Sequence, residues 1–383
     1  MEPAIADLPA HDPIEPIRFV DLDPTTRPVR DAILRDLATL MDEGQFVNGR
    51  PVADFEQLFA RSRGLSHCIG LASGLDAIRL ALSALDVGPG DEVIVPAMTF
   101  VATFEAVAQV GATPVPADVG GDDFCLAPDA AAAAVTDRTR AVVPVHLYGQ
   151  MADMGALGEL ARRHALRIVE DAAQAHGATR DGLHAGAGGD AGAFSFYPSK
   201  NLGAMGDAGA LVTDDGELDA RVRALREHGQ TGKYRSDYVG WTSRLDAFQA
   251  VVLLHKLPLL EGWNEQRRRA ALAYSEALHG TGDVRIPAAV AGAGHVWHLY
   301  TIRTAHPDAL AEHLEERGIA TGRHYPEAPH LSRAFSGLGH GPGSFPVAEA
   351  VARETLSLPL FPGITEGQIA HVVSAIEAFF ARG

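Results

Sequence analysis

The stretch Ala193-Phe194-Ser195-Phe196-Tyr197-Pro198-Ser199-Lys200-Asn201-Leu202-Gly203-Ala204-Met205-Gly206-Asp207-Ala208-Gly209 decides how the rest of the chain is read. Its apolar, aromatic start has the composition of a buried strand, and Pro198 ends it. A lysine follows at once, among small residues and glycines. The chain has only three lysines, Lys200, Lys233 and Lys256, so nearly all its positive charge is arginine, which cannot form an imine with an aldehyde. A strand end with flexible backbone beyond it is where an α/β enzyme presents a reacting group. A lone loop lysine is more simply a surface residue, and the surroundings decide between the two readings.

Outward from that stretch, short β-like runs recur at Cys68–Ala72, Glu92–Pro96, Thr113–Asp118, Ala141–His146, Arg167–Asp171, Ala191–Tyr197 and Ala208–Thr213. Most are separated by Ala- and Leu-rich stretches with helical spacing, at Leu75–Leu85, Thr103–Gln109, Pro128–Val135 and Met154–His164. This alternation predicts an α/β fold with a largely parallel sheet and helices on both faces. Ligands on such sheets lie outside the carboxyl ends of the strands.

Four strand ends carry chemistry. At Ala72-Ser73-Gly74-Leu75-Asp76, Ser73 can cap a helix whose bare first amides and dipole favour an anion, with Gly74 leaving room for it. Phe100 follows the second strand and could stack on a planar ring, although a strand-end Phe is more often core. Pro144–Gly149 (PVHLYG) places polar and aromatic groups where a strand meets its loop; His146 alone reads as structural. Glu170-Asp171 closes an apolar strand, and period two puts the two carboxylates on opposite faces. A deep Asp171 needs a cationic or hydrogen-bonding partner. A protonated pyridine nitrogen is one such partner, and a helix cap is the alternative.

The totals exclude several classes. At 383 residues two domains are the default. The expected division is a frayed N-terminal tail at 1–17, a large domain at 18–257 and a smaller C-terminal α/β domain at 258–383. A formal net charge of −17 speaks against nucleic acid as the main partner. Cys68 and Cys125 have no paired spacing, so neither a disulfide framework nor a zinc motif is visible, and no metal site is expected. The acidic, proline-rich N-terminus lacks the pattern of a signal peptide, and no apolar run approaches the ~18–20 residues of a membrane span. A cytoplasmic protein is the expectation. Arg267-Arg268-Arg269 reads as a solvated helix face. In the last segment, Ile369, Val372, Val373, Ile376 and Phe380 mark the buried side of a closing helix.

Together the strand ends offer an imine-forming amine, a deep aspartate, a serine hydroxyl at Ser195, a helix-start anion site and an aromatic ring. Pyridoxal 5′-phosphate uses all five. A carboxylate beside the ring nitrogen in a poorly solvated pocket keeps that nitrogen protonated, so the ring can act as an electron sink. Neither the dinucleotide fingerprint nor the P-loop pattern is present.

Ser73–Ala77, PVHLYG, Glu170–Gly177 (EDAAQAHG), Phe194–Gly203 (FSFYPSKNLG) and Gly206–Ala210 (GDAGA) stand in that order. They are followed by Gly240–Asp246, Trp297–Tyr300 (WHLY), His324-Tyr325-Pro326 with His330, and Leu358–Leu360. From about Arg18 onward the chain resembles the DegT-type sugar-nucleotide aminotransferases, pyridoxal-phosphate enzymes of fold type I. The resemblance implies Lys200 as the imine lysine, Asp171 at the pyridine nitrogen and Gln174 near the ring's 3′ oxygen. It further implies Ser195 with the Gly74 and Leu75 amides at the phosphate, and Phe100 over the ring. Thr242 stands where the family often has an Asn that reaches the phosphate of the partner subunit's cofactor, and Ala208 replaces a usual glycine. His324, Tyr325 and His330 are the candidate substrate contacts. The implied reaction moves an amino group from L-glutamate to a nucleotide-linked keto sugar, in motifs closest to enzymes that aminate C3 of a dTDP-3-keto-6-deoxyhexose. A homodimer with shared sites is implied too, the loop at 229–246 crossing over. A C4 aminotransferase, a dehydratase and a non-catalytic ligand sensor stay open as alternatives.

Overall fold

Alternating strand and helix runs give one seven-stranded sheet. The structure, a computed structural model, describes residues 16–381. The strands are β1 (His67–Leu71), β2 (Glu92–Pro96), β3 (Thr113–Ala117), β4 (Thr139–Val142), β5 (Arg167–Asp171), β6 (Ala191–Ser195) and β7 (Gly209–Thr213). Their spatial order is β1-β7-β6-β5-β4-β2-β3. β7 alone runs antiparallel to its neighbours β1 and β6, and the remaining pairings are parallel. The expected α/β architecture is therefore the observed one. Two strands end early for a stated reason. β4 stops at Val142, short of the expected His146, because Pro144 has no N–H to continue the ladder. β6 stops at Ser195, and Pro198 turns the chain towards Lys200.

β6 is held from below by aromatic packing. Phe194 and Phe196 point to one face and meet Phe59 at ring-centroid distances of 5.0 and 5.2 Å, both edge to face. Phe55 meets Phe196 at 5.3 Å in the same geometry. All four rings are fully buried, and such pairs contribute ~0.5–1.5 kcal/mol each beyond the area they bury. Ala193, on the opposite face, packs in a second cluster with Ile78 of the Gly74–Ala84 helix. Only small residues fit there. A Cβ at Gly74 would lie 2.8 Å from Ser195 Cβ, and one at Gly209 would lie 2.3 Å from the Ser73 carbonyl carbon. Helix start, β6 end and β7 start thus converge within contact of one another.

A separate core forms in the C-terminal part. The Leu260–Leu278 helix contributes Ala270, Ala271, Tyr274 and Leu278, and the Glu366–Phe380 helix contributes Ile369, Val372, Val373 and Ile376. Both pack on β8 (Tyr300–Arg303) and β9 (Thr355–Leu358), an antiparallel pair. Phe380, expected on the buried side, is only partly buried. Most of the tail expected to fray lies outside the described residues. Its last residue, Ile17, is instead buried and pairs with Ile319, its N–H donating to Gly318 O at 2.7 Å. The cause is an apolar side chain next to an unpaired backbone edge of this smaller core.

Candidate active site

The carboxyl ends of the strands border a cavity of about 500 Å³. Ser195 and Lys200, from β6 and its exit, reach it. So do Gly74 and Leu75 from the helix start, Phe100 after β2, Asp171 at the end of β5 and Gln174 beyond it. His324 and Tyr325 line the opposite wall. Nine of the eleven residues singled out in the sequence therefore share one cavity. Thr242 does not line it: the residue is exposed and its hydroxyl lies 3.2 Å from His228 Nε2. His330 does not line it either. Its ring is 1% exposed, sits 4.8 Å from the Phe345 ring and places Nε2 3.4 Å from Glu349. His330, expected as a substrate contact, is thus not among the residues that line this cavity, and its Nδ1 is buried without a hydrogen-bond partner among the described residues.

Period two separates the carboxylates of β5 as expected. Glu170 turns away from the cavity and accepts from the amides of Gly186 at 2.9 Å and Gly188 at 2.6 Å. His146 completes that side. Its Nδ1 accepts from the Ala152 amide at 3.2 Å, so Nε2 carries the proton and donates to Glu170 at 2.7 Å. Asp171 faces the cavity. Its Oδ2 accepts from the Thr103 hydroxyl at 2.9 Å and its Oδ1 from the Ala173 amide at 3.1 Å. Thr99 lies 2.9 Å from the Thr103 hydroxyl and fixes its rotamer. Burial pushes the Asp171 carboxyl above its usual range, against the pull of Thr103, Ala173 and Lys200. Among the described residues no cation forms an ion pair with it.

Lys200 has the complementary problem. Burial lowers its amine to about 8, with the Asp171 charge opposing that shift. A depressed lysine beside a raised carboxyl is the pattern of groups prepared for chemistry. At the helix start, Ser73 accepts from the Asp76 amide at 3.1 Å, while Asp76 itself takes the Arg79 guanidinium at 2.6 Å and the Ser243 hydroxyl at 2.6 Å. The first amides, Gly74 and Leu75, have no acceptor within the helix and face the cavity. Across the cavity, Gln174 Oε1 accepts from the Tyr148 amide at 2.7 Å and Nε2 donates to the Tyr325 hydroxyl at 3.0 Å. Tyr325 lies 5.3 Å from the Phe100 ring, and His324 stacks on Phe19 at 5.2 Å. Burial lowers His324 to about 4, so its ring is neutral near pH 7.

Sequence reasoning missed Thr103, Tyr148, His298 and Arg267. Tyr148 sits inside PVHLYG, and only its left-handed backbone, φ 57°, aims its amide at Gln174. The next residue must be glycine, since a Cβ at Gly149 would lie 2.9 Å from Val296 and 3.0 Å from the His298 amide. His298 Nδ1 donates to Asn201 Oδ1 at 3.1 Å, which directs the other face of the ring to the cavity. Arg267 was read as part of a solvated run, yet it is 4% exposed. Arg268 and Arg269 do face out, pairing with Glu265 at 3.0 and 2.9 Å. One signal could have found it: Trp263, Asn264, Arg267, Ala270, Ala271 and Tyr274 recur at helical spacing as one buried stripe.

A group that satisfies these residues carries an aldehyde for Lys200, a ring cation for Asp171 and an anion for the Gly74 and Leu75 amides. Pyridoxal 5′-phosphate fits each of them, and the buried Asp171 carboxyl, hydrogen-bonded but without an ion pair among the described residues, is the strongest sign of the fit. Fold and site together thus define a pyridoxal-phosphate aminotransferase. The chain belongs to the DegT/DnrJ/EryC1/StrS aminotransferase family, whose profile matches residues 29–377. It is 45% identical over 366 residues to the dTDP-3-amino-3,4,6-trideoxy-alpha-D-glucose transaminase of Streptomyces venezuelae, covering 96% of this chain and 97% of that one. It is 46% identical over 360 residues to the UDP-N-acetyl-3-dehydro-alpha-D-glucosamine 3-aminotransferase of Acidithiobacillus ferrooxidans, covering 94% and 97%. Among solved structures, S. venezuelae DesV in complex with a ketimine intermediate superposes with a TM-score of 0.94 at 45% identity, covering 96% of this chain and 100% of that one.

Proposed function

We propose that this chain transfers an amino group from L-glutamate to the C3 keto group of a dTDP-linked keto-deoxy sugar. The observation that carries the reading is Lys200, whose depressed amine shares a cavity with a buried, ion-pair-free Asp171. Two relatives of near-equal identity are named for amination at position 3 and differ in the nucleotide. That supports C3 over C4, and the retained lysine speaks against dehydration and against a sensor that only binds.

Bound pyridoxal phosphate supplies an aldehyde to hold the amino group and a ring to take up the electron pair when the donor's α proton leaves. Asp171 holds a proton at the ring nitrogen, and the Thr99–Thr103 pair holds Asp171 in place. Ser195 and the Gly74 and Leu75 amides bind the phosphate, while Phe100 covers one face of the ring. Gln174, fixed by the Tyr148 amide, orients the 3′ oxygen. With the cofactor bound, the Lys200 amine would hold the aldehyde and would serve as the base that takes the donor's α proton and the acid that returns it, in the reverse sense in the second half-reaction. His324 and Tyr325, both half-buried, bound the sugar from the other wall, where their rings exclude water from the reacting carbon.

The proposal includes a large domain at 18–257, a small domain at 258–383, a cytoplasmic location and a homodimer. No helix among the described residues is long and apolar enough to cross a membrane. The dimer is supported by apolar groups left in solvent: Val239 is 92% exposed, Tyr234 90% and Phe46 46%. Tyr234, Val239 and Thr242 lie on the segment at 229–246, which would carry Thr242 to the partner's cofactor phosphate. The test is Lys200→Ala. Turnover should fall by at least ~10³-fold, in line with loss of proton transfer and of the imine together. Turnover within tenfold of the parent refutes the proposal, as does borohydride reduction of the loaded protein that leaves Lys200 unlabelled in peptide mapping.

A further inference from the structure

Beside the Lys200 loop lies a buried polar network whose orientation has only one solution. Asn201, the residue after Lys200, is buried, and its Nδ2 donates to Val296 O and to Asn264 Oδ1, both at 2.9 Å. A backbone carbonyl can only accept, so the Asn201 amide cannot be turned over. Asn264 Nδ2 donates to His176 O at 2.8 Å, which fixes the second amide in the same way. Asn201 Oδ1 is left facing His298 Nδ1 at 3.1 Å. An amide oxygen carries no proton, so Nδ1 bears one and Nε2 keeps a lone pair. The His298 ring is buried yet borders the active-site cavity. Its Nε2 meets no hydrogen-bonding group among the described residues and is not sealed from solvent, so it opens onto that cavity.

Resting on the reading that Lys200 moves the donor's α proton, we propose that His298 Nε2 accepts a hydrogen bond from the Lys200 amine once a substrate has displaced it from the aldehyde. Elimination points to this pair. The Lys200 amine has no hydrogen-bond partner of its own among the described residues. Asp171 is committed to Thr103 and Ala173, and Gln174 to Tyr148 and Tyr325. Glu105 and Asp207 border the cavity too, but Asp171 is the one carboxylate whose charge acts on Lys200. Burial, then the charges of Lys200, Arg267, His176 and His324, keep the His298 ring neutral. It can therefore receive an N–H without taking the proton. His324 is the rival acceptor, since the Lys200 charge acts on it as well. Its Nδ1, however, faces the Ser357 hydroxyl, which can donate or accept, so no tautomer is imposed there.

The pairing serves the amine twice. A free amine rotates about its last bond, and one N–H held by a fixed acceptor leaves its lone pair aimed in one direction. After it has taken the α proton it is a cation in a poorly solvated cavity, and Nε2 supplies the acceptor it needs until the proton is returned. Because Asn201 follows Lys200, one network sets both the backbone of the lysine and the ring that receives its amine. His298 is thus a positioning residue for Lys200 and acts alike in both half-reactions.

The experiment follows each half-reaction separately on the holoenzyme, through the cofactor's absorption change. His298→Phe keeps a ring and loses the lone pair, whereas His298→Gln can offer an amide oxygen. In His298→Phe the saturated rate should fall about thirtyfold or more, both with L-glutamate and with the amino-sugar nucleotide, while half-saturating concentrations change less than about threefold. The slowed rate should carry a primary isotope effect with α-deuterated L-glutamate, and His298→Gln should recover part of the loss. A loss confined to one substrate, or expressed as weaker binding, makes His298 a substrate contact and overturns the assignment. A slow rate without an isotope effect marks a merely structural role and overturns it too. A crystal structure of the parent in its amine form, with Lys200 free, decides independently of how the variants fold. Lys200 Nζ within about 3.3 Å of His298 Nε2 supports the pairing, and Nζ on His324 or any other acceptor overturns it. A parent whose cofactor answers to neither substrate defeats the reading of Lys200 itself, and the assignment with it. A responsive parent with an unaltered His298→Phe defeats His298 alone.

Discussion

Lys200 and Asp171 each solve the other's difficulty only in part. Burial lowers the amine to about 8 from its usual 10.5 and raises the carboxyl above its usual 3.8. At pH 7 an amine of pKa 8 is neutral in about a tenth of molecules, against roughly one in three thousand at 10.5. The neutral form is the nucleophile, so the rate at which apoprotein captures pyridoxal phosphate should rise through a midpoint near pH 8 and level off above it. Stopped-flow absorbance between pH 6 and 10 checks this, and a rate still climbing tenfold per pH unit above 9 contradicts it. The same shift has a stability sign. Because the folded pKa lies below the unfolded one, the unfolded chain binds more protons between about pH 8 and 10.5. The Lys200 contribution to apoprotein stability therefore improves as pH rises through that window. Lys256 is also lowered to about 8, yet its amine donates to Gly203 O at 3.0 Å and does not line the cavity. Borohydride labelling should distinguish the two.

At the scale of elements, the site is the meeting of the β6 end with the start of the Gly74–Ala84 helix. Gly74→Ala should be costly on two counts, since the new methyl would press on Ser195 at 2.8 Å and crowd the anion cradle. Overpacking of this kind destabilises by ~1–3 kcal/mol, and cofactor affinity should fall at least tenfold in a fluorescence titration. Gly262→Ala, where a Cβ meets nothing within 4 Å, is the control and should leave affinity unchanged. This element was legible in the sequence because each of its parts obeys a local rule. Apolar runs of five or six residues ended at chemically awkward groups, Asp171 and Lys200, and a capping serine announced the helix. The opposite wall was less legible. Gln174 is fixed by the amide of Tyr148, His298 by Asn201 at 3.1 Å, and His324 Nδ1 lies 2.9 Å from the Ser357 hydroxyl. Those partners lie 26 to 97 residues apart in sequence, so no periodicity relates them. The position of His330 outside the cavity lining was hidden for the same reason, because its neighbour Glu349 and its burial are tertiary facts. Arg267 shows the converse: three arginines in a row conceal a helix that turns about 100° per residue and carries one of them inward.

For the molecule as a whole, the sign of its surface limits how copies can meet. With a net charge of −17 two chains repel at long range, so association must come from contact between apolar groups. Val239 and Tyr234 are almost fully exposed on the segment at 229–246, and Phe46 packs on Phe248 at 5.6 Å while remaining 46% exposed. Val47 bridges to Asp246, so the Phe46 patch and the end of that segment are held together as one surface. Covering the segment against a second copy would bury these side chains and bring Thr242, whose own-chain neighbour is His228, towards a partner's helix start. Adding charge there should oppose the contact without touching the cavity of the same chain. The double variant Tyr234→Asp, Val239→Asp should sediment with at least a tenfold larger monomer fraction than the parent at equal concentration. Its cofactor affinity should fall with dimer content, while its thermal unfolding at high concentration stays within a few degrees of the parent. A fully active monomer would show that each cavity works alone, and Thr242 would then have no part in holding the phosphate.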